Sequence, residues 1–461
     1  MLKDQKPSNT HLYNDYFDRY EKNILEDFFS FLKFKTISAD PQFKSQIHLC
    51  SDWIMSYCKK AGMHVEKWET SGNPVVFAEH KASAKHRPTI LLYHHYDVQP
   101  VDPLELWTSD PFSPTMVDGE IVARGASDNK GQCFYSLVAI RAFLECAQDK
   151  DINIKIVIEG EEEVGSEGFL GILEKKKQEL AADYTLIVDM GIPSVEQPAV
   201  TLGFRGIVTF SLECTGSNMD LHSGIFGGIA LNPLRGLCDV LAKLWNSEGK
   251  VQVPHFYDGV QVTDGSHLLP VDLNPMLKKF GLKALHHETG YSLVESNWMR
   301  PTCEINGLCG GYYGPGFKTV IPAKATCKLS CRLVAGQDPQ KIEKIMVDFL
   351  TKHLDKGFCL KIDVGHGAPA FLAKHTTPFV SVLQQAYKQA THRQAGLIMS
   401  GGSLPIASAL AQTSGGETLG IGFALDDDYI HAPNEHFGVD RLKYGMVTIA
   451  SVLELLARQG K

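Results

Sequence analysis

The feature that most constrains this chain is an alternation of short apolar runs with amphipathic helical segments, which stops near Thr201 and resumes beyond Pro378. Strands that are apolar along their whole length need cover on both faces, and helices that connect parallel strands provide it. Helical spacing gathers Ile24, Leu25, Phe28, Phe29 and Leu32 on one face over residues 16–34. A second helix carries Cys50, Trp53, Ile54 and Tyr57 and closes on Lys59, Lys60 and Gly62. Strands are then expected over 88–93, 152–158 and 184–188, with helices over 131–147 and 168–180. Between the two stretches, strands over 207–214, 301–308 and 323–334 and helices over 233–245 and 339–353 describe an α+β insert of normal domain size. After it come a helix over 378–391, a strand over 397–399, a helix over 405–412, a strand over 418–423 and a last helix from Arg441. The expected architecture is α/β, a mixed but mostly parallel sheet flanked by helices. One domain is built from residues 1–200 and 393–461, and a second is inserted as residues 201–392.

At 461 residues the chain is long enough for two or three domains. A formal charge of −8 and the absence of a Lys/Arg stripe exclude an electrostatic nucleic-acid binder. No apolar run approaches the ~18 residues of a membrane span. The polar N-terminus lacks the apolar middle of a secretory signal. Eleven cysteines, odd in number and without a CxxC, read as reduced thiols rather than a disulfide framework. The expected location is the cytoplasm.

Five groups of imidazole or carboxylate side chains fall at predicted strand ends, where open α/β sheets place their ligands. They are His95-Tyr96-Asp97 after the run PTILLY, Asp128 on a glycine-rich turn that opens a helix, Glu161-Glu162-Glu163, Asp189, and His431 in HAPNE. Each alone reads as a turn, cap or solvated face. Together, at the strand ends of one discontinuous domain, they read as a metal site. In His-x-Asp the carboxylate can hold one ring nitrogen while the other binds metal. Consecutive glutamates repel one another unless a dication neutralises them. Two histidines and three carboxylates, with no thiolate, suit Zn or Mn. A carboxylate shared between two ions would make a binuclear centre, and a carboxylate outside the ligand set would then serve as general base.

These motifs, with LHSGIFGG (221–228), GFKTVIPAK (316–324), CRLV (331–334) and GGSLP (401–405), resemble a di-zinc metallopeptidase family. It includes carnosine and cytosolic nonspecific dipeptidases, aminoacylase, acetylornithine deacetylase, succinyl-diaminopimelate desuccinylase and a glutamate carboxypeptidase, and the chain is most similar to the dipeptidase branch. The resemblance implies two divalent ions, Zn or Mn, per subunit. His95 and Asp189 would hold one, Glu163 and His431 the other, and Asp128 would bridge both. Asp97 would orient His95. Glu162 would be the general base that activates a metal-bridging hydroxide. His222 would steady the oxyanion across a homodimer formed through the inserted lid domain, and Arg332 would grip the substrate carboxylate. Thr319, Ser403 and His366 resemble further substrate contacts.

The implied activity is hydrolysis of the amide bond of a dipeptide or short peptide next to a free C-terminal carboxylate. The alternative is an N-acyl amino-acid deacylase or desuccinylase. One departure favours it: where the dipeptidases often carry Arg-Glu before GGS, the glutamate resembling a holder of the free amino group, this chain has Met399-Ser400. Glu161 or one of Asp426, Asp427 and Asp428 is the candidate substitute.

Overall fold

The computed structural model describes residues 9–261, 265–365 and 367–459. The chain forms two compact units. The first comprises Met1–Leu202, Ala373–Ile398 and Ala409–Lys461, and the second Gly203–Leu372 and Met399–Ser408.

The first unit is built on a sheet with the order His64–Trp68, Val75–His80, Asn153–Glu159, Thr89–His95, Tyr184–Val188, Glu417–Ile421 and then the start of Ala199–Thr215. The four strands from Asn153–Glu159 to Glu417–Ile421 are parallel, and antiparallel strands close both sides. Ile90, Leu91, Leu92 and Tyr93 are all fully buried, as expected for a strand covered on both faces. Among the covering helices, Lys130–Cys146 packs against Val439–Gln459, which also meets Thr10–Leu32 and Pro378–Thr391. Parallel register brings the carboxyl ends of the strands to one edge, with His95 beside Glu159 and Ile421 beside Val188. The loops that follow carry the chemistry.

In the second unit Ala199–Thr215 continues as a long strand. It pairs antiparallel with Lys324–Leu333, which in turn pairs with Thr302–Gly310, while Cys359–Val364 lies on its other side. Alternation divides the sheet into two faces. Val208, Phe210, Leu212, Cys303, Leu329 and Cys331 join one buried cluster with Leu237, Val240, Met346 and Leu350 of the helices Pro233–Leu241 and Pro339–His353. Both helices start on a side-chain cap followed by proline, Asn232-Pro233 and Asp338-Pro339. Arg205, Ile207, Thr302 and Arg332 occupy the opposite face, away from that core.

Four expectations are corrected. The insert does not run to residue 392. The helix Pro378–Thr391 belongs to the first unit, because Phe379, Val380, Leu383 and Tyr387 are buried and the helix packs on Val439–Gln459. Residues Met399–Ser408 group with the second unit and interrupt the returning segment. The helix expected over 168–180 is two short ones, Glu167–Ile172 and Lys177–Leu180, and the helix from Pro233 ends at Leu241 rather than 245. All eleven cysteines are free, and no helix among the described residues is long and apolar enough to cross a membrane.

Candidate metal centre

Seven of the residues singled out in the sequence stand together in the first unit. His95 is the last residue of its strand, and Asp189 directly follows Tyr184–Val188. Glu162 and Glu163 open a single 3-10 turn after Asn153–Glu159, and Asp128 lies two residues ahead of the helix Lys130–Cys146. His431, in the loop after Glu417–Ile421, has φ +63°, in the left-handed region that few non-glycine residues adopt. Asp128 stands between the two imidazoles. Its Oδ1 is 3.1 Å from Nε2 of His95, and its Oδ2 is 2.9 Å from Nε2 of His431. Asp189 Oδ2 lies 3.7 Å from His95 Nε2, and Glu163 Oε2 lies 3.4 Å from His431 Nε2. Two triads that could each hold a metal ion result, His95–Asp128–Asp189 and Asp128–Glu163–His431, each with its donor atoms within 4.8 Å of one another. Glu162 belongs to neither triad, and its Oε2 is 4.0 Å from His95 Nε2.

The surrounding groups fix this arrangement. Nδ1 of His95 faces the carbonyl of Asp97 at 3.1 Å, which leaves Nε2 for a ligand when the proton sits on Nδ1. The Asp97 carboxylate accepts the backbone N–H groups of Glu162 and Glu163, both at 3.1 Å, so Asp97 holds the glutamate turn as well as the imidazole. Asn129 donates to the Val188 carbonyl and to Asp189 Oδ1, and Gln99 donates to Glu163 Oε2. Glu435 is fully buried and accepts four N–H donors: the backbone of Gly125, Ser127 and Asp128, and Arg124 Nη1. Asn129, Gln99 and Glu435 were not singled out in the sequence. Glu435 lay in view within HAPNE, but its partners are some three hundred residues away. Glu161 and Asp428 are not substitutes for the missing glutamate at Ser400. Glu161 is spent on the backbone N–H groups of Asn73 and Gly168, and Asp428 on Arg441 and Ser127.

The electrostatics call for a cation. Burial is the largest influence on Glu162 and pushes its carboxyl well above the usual range, with Asp189 and Glu163 adding repulsion. Glu163 and Asp189 are likewise raised, first by burial and then by Asp128. Burial works against the charged His95 imidazole, but Asp189 and Asp128 outweigh it and hold its pKa well above the ordinary value. His431 is raised to about 10 by its hydrogen bonds to Asp128 and Glu163. For Asp128 the two imidazoles overcome burial and hold its carboxyl below the ordinary range. Four carboxyl groups thus crowd one confined space beside two imidazoles, an arrangement that a bound cation would relieve. The donor set, imidazole nitrogen and carboxylate oxygen with no sulfur, fits Zn or Mn.

Of the remaining candidates, four lie in the second unit. His222 is exposed, its Nδ1 accepting the Gly224 N–H at 3.0 Å. It ends a two-residue strand paired with Val320–Ile321, next to Thr319, whose carbonyl accepts the Ser223 N–H. Arg332 is half-buried on the open face of the sheet. Ser403 donates to the Gly206 carbonyl at 2.9 Å. His366 lies outside the described residues.

The model of peptidase family M20/M25/M40 matches residues 91–455. The chain belongs to this family. M20 enzymes are metal-dependent, and this metallopeptidase carries a matching donor set. The chain is 31% identical over 376 residues to the human Beta-Ala-His dipeptidase, covering 78% of this chain and 73% of that one. It is 27% identical over 446 residues to a Cys-Gly metallodipeptidase of Schizosaccharomyces pombe, covering 92% and 93%. Among solved structures, an M20 family metallo-carboxypeptidase from Sulfolobus solfataricus superposes with a TM-score of 0.85 at 29% identity, covering 94% of this chain and 99% of that one.

Proposed function

We propose that this M20 metallopeptidase is a dipeptidase that cleaves the amide bond next to a free C-terminal carboxylate. The observation that carries the reading is the double triad on Asp128, one oxygen toward each imidazole. The similarity to Beta-Ala-His and Cys-Gly dipeptidases over most of the chain supports the substrate class. His95 and Asp189 would hold one ion and Glu163 and His431 the other, with Asp128 offering one carboxylate oxygen toward each imidazole. When bound, the ions polarise the scissile carbonyl and acidify the attacking water. Glu162, partly buried and outside both triads, takes the proton of that water and returns it to the departing amine. Arg332 grips the substrate carboxylate with its fork, assisted by Thr319, Ser403 and His366. His222 serves the oxyanion of a partner subunit. Homodimerisation is supported by the exposed apolar side chains around it, Ile225, Phe226 and Ile229.

Glu162→Gln tests the mechanism. Turnover should fall by about 10²–10⁴ while metal content stays at the wild-type level; full turnover in that variant would refute the general-base role.

A second reading follows from Ser400, whose Oγ accepts the Gly402 N–H and offers no charge to a free amine. It is an N-acyl amino-acid deacylase or a carboxypeptidase acting on longer chains, in keeping with the similarity to the Sulfolobus solfataricus carboxypeptidase. Comparing a dipeptide with its N-acetylated form separates the two.

A further inference from the structure

The buried arginines Arg87, Arg124, Arg300 and Arg441 each engage a carboxylate, on Asp151, Glu435, Glu288 and Asp428 respectively. A guanidinium taken from water needs such a partner. Two half-buried arginines of the second unit break this pattern. Neither Arg205 nor Arg332 has an ion pair among the described residues. Among the described residues, the one hydrogen bond of Arg205 runs from Nε to the Gly401 carbonyl at 2.6 Å, which leaves the four N–H groups of its terminal nitrogens without a partner there.

Register places both on the same face of the sheet. Arg332 pairs with Ile207, and Arg205 lies two residues along the same strand, a diagonal neighbour within reach of long side chains. Both line a cavity of about 770 Å³ that lies wholly within the second unit. The two cations also feel each other: Arg205 is lowered to about 10, first by burial and then by the charge of Arg332. Two like charges side by side on a cavity wall, with no acid in ion-pair contact with either among the described residues, are arranged to attract an anion.

We propose that Arg205 is a specificity-determining residue that shares with Arg332 the capture of the substrate's terminal carboxylate. Its Nε pins the Gly401 carbonyl, and so the Ser400–Ser403 segment, while its terminal nitrogens and charge face the incoming anion. Glu304, also on the cavity wall, acts electrostatically on Arg205 and moderates that attraction. The proposal rests on the reading of Arg332 as the carboxylate grip.

The test measures kcat and KM for a dipeptide and its C-terminal amide with wild-type enzyme, Arg205→Gln and Arg205→Lys. Wild type should prefer the acid. Arg205→Gln should lose about tenfold or more of that preference through KM, with kcat within about twofold, and Arg205→Lys should recover part of it. If wild type does not distinguish acid from amide, the carboxylate grip itself fails and this proposal falls with it. If wild type distinguishes them and Arg205→Gln does so equally well, the grip stands and the role of Arg205 is overturned. An equal loss on acid and amide would also overturn it, as a merely structural effect. Should Arg205→Gln not fold, Glu304→Gln carries the test: KM for the acid should fall about twofold or more with the amide unmoved, and an unchanged acid preference would reject the proposal.

Discussion

Glu435 holds Asp128 by its backbone: Oε1 of Glu435 accepts the Asp128 N–H at 2.9 Å and the Ser127 N–H at 3.0 Å. Its other oxygen takes Gly125 N–H and Arg124 Nη1, so one buried carboxylate organises the whole turn before Asp128. Removing it would orphan three backbone donors and leave the buried Arg124 guanidinium without its counter-charge. Glu435→Ala should cost about 3–5 kcal/mol, read by denaturant unfolding of the metal-free protein, and should weaken metal retention. A loss below about 1 kcal/mol would show that the turn stands without it.

Asp128 faces both imidazoles, so its loss should not be confined to one ion. Asp128→Ala is expected to abolish tight binding at both positions, whereas Asp189→Ala should spare the pair Glu163–His431. Metal analysis after dialysis distinguishes these outcomes. A full single equivalent retained by Asp128→Ala would show that the aspartate serves one ion only.

Metal uptake should be pH-dependent with a definite sign. The His431 pKa rises from 6.5 to about 10 in the metal-free protein because Asp128 and Glu163 accept its protons. That pairing stabilises the metal-free fold fully below the unfolded value and is lost as pH climbs through the folded one. A metal needs the neutral ring, so binding expels a proton across this window. Affinity should rise between about pH 6 and pH 8, approaching tenfold per unit for each proton displaced. Titration calorimetry in buffers of different ionisation enthalpy measures both quantities; flat affinity with no proton release would contradict the scheme.

Gly131 opens the helix behind Asp128, and a Cβ there would stand 1.9 Å from the Ala126 carbonyl oxygen. Backbone cannot swing aside as a flexible side chain does. Gly131→Ala should therefore destabilise by about 3 kcal/mol or more and disturb the turn that Glu435 organises. A melting temperature equal to wild type would show that the turn can shift.

The alternation of apolar runs and helices was enough to read the parallel sheet, because full burial writes continuous Ile, Leu and Val runs into a strand such as Thr89–His95. The ligand candidates were legible for a related reason: each follows its strand by a few residues at most or opens a covering helix, His431 excepted. The domain return was harder. The amphipathic face of Pro378–Thr391 says that the helix packs, but not on which unit.

What the sequence determined by itself is therefore local: strand ends, helix faces, caps and the chemical types at each turn. Only the tertiary structure decided which oxygen of Asp128 meets which imidazole, and that Glu161 and Asp428 spend their charge inward while Glu435 secures the turn. The reason is physical. A carboxylate's role depends on the donors that reach it, and for Glu435 those donors lie some three hundred residues away, a distance across which no local pattern carries information.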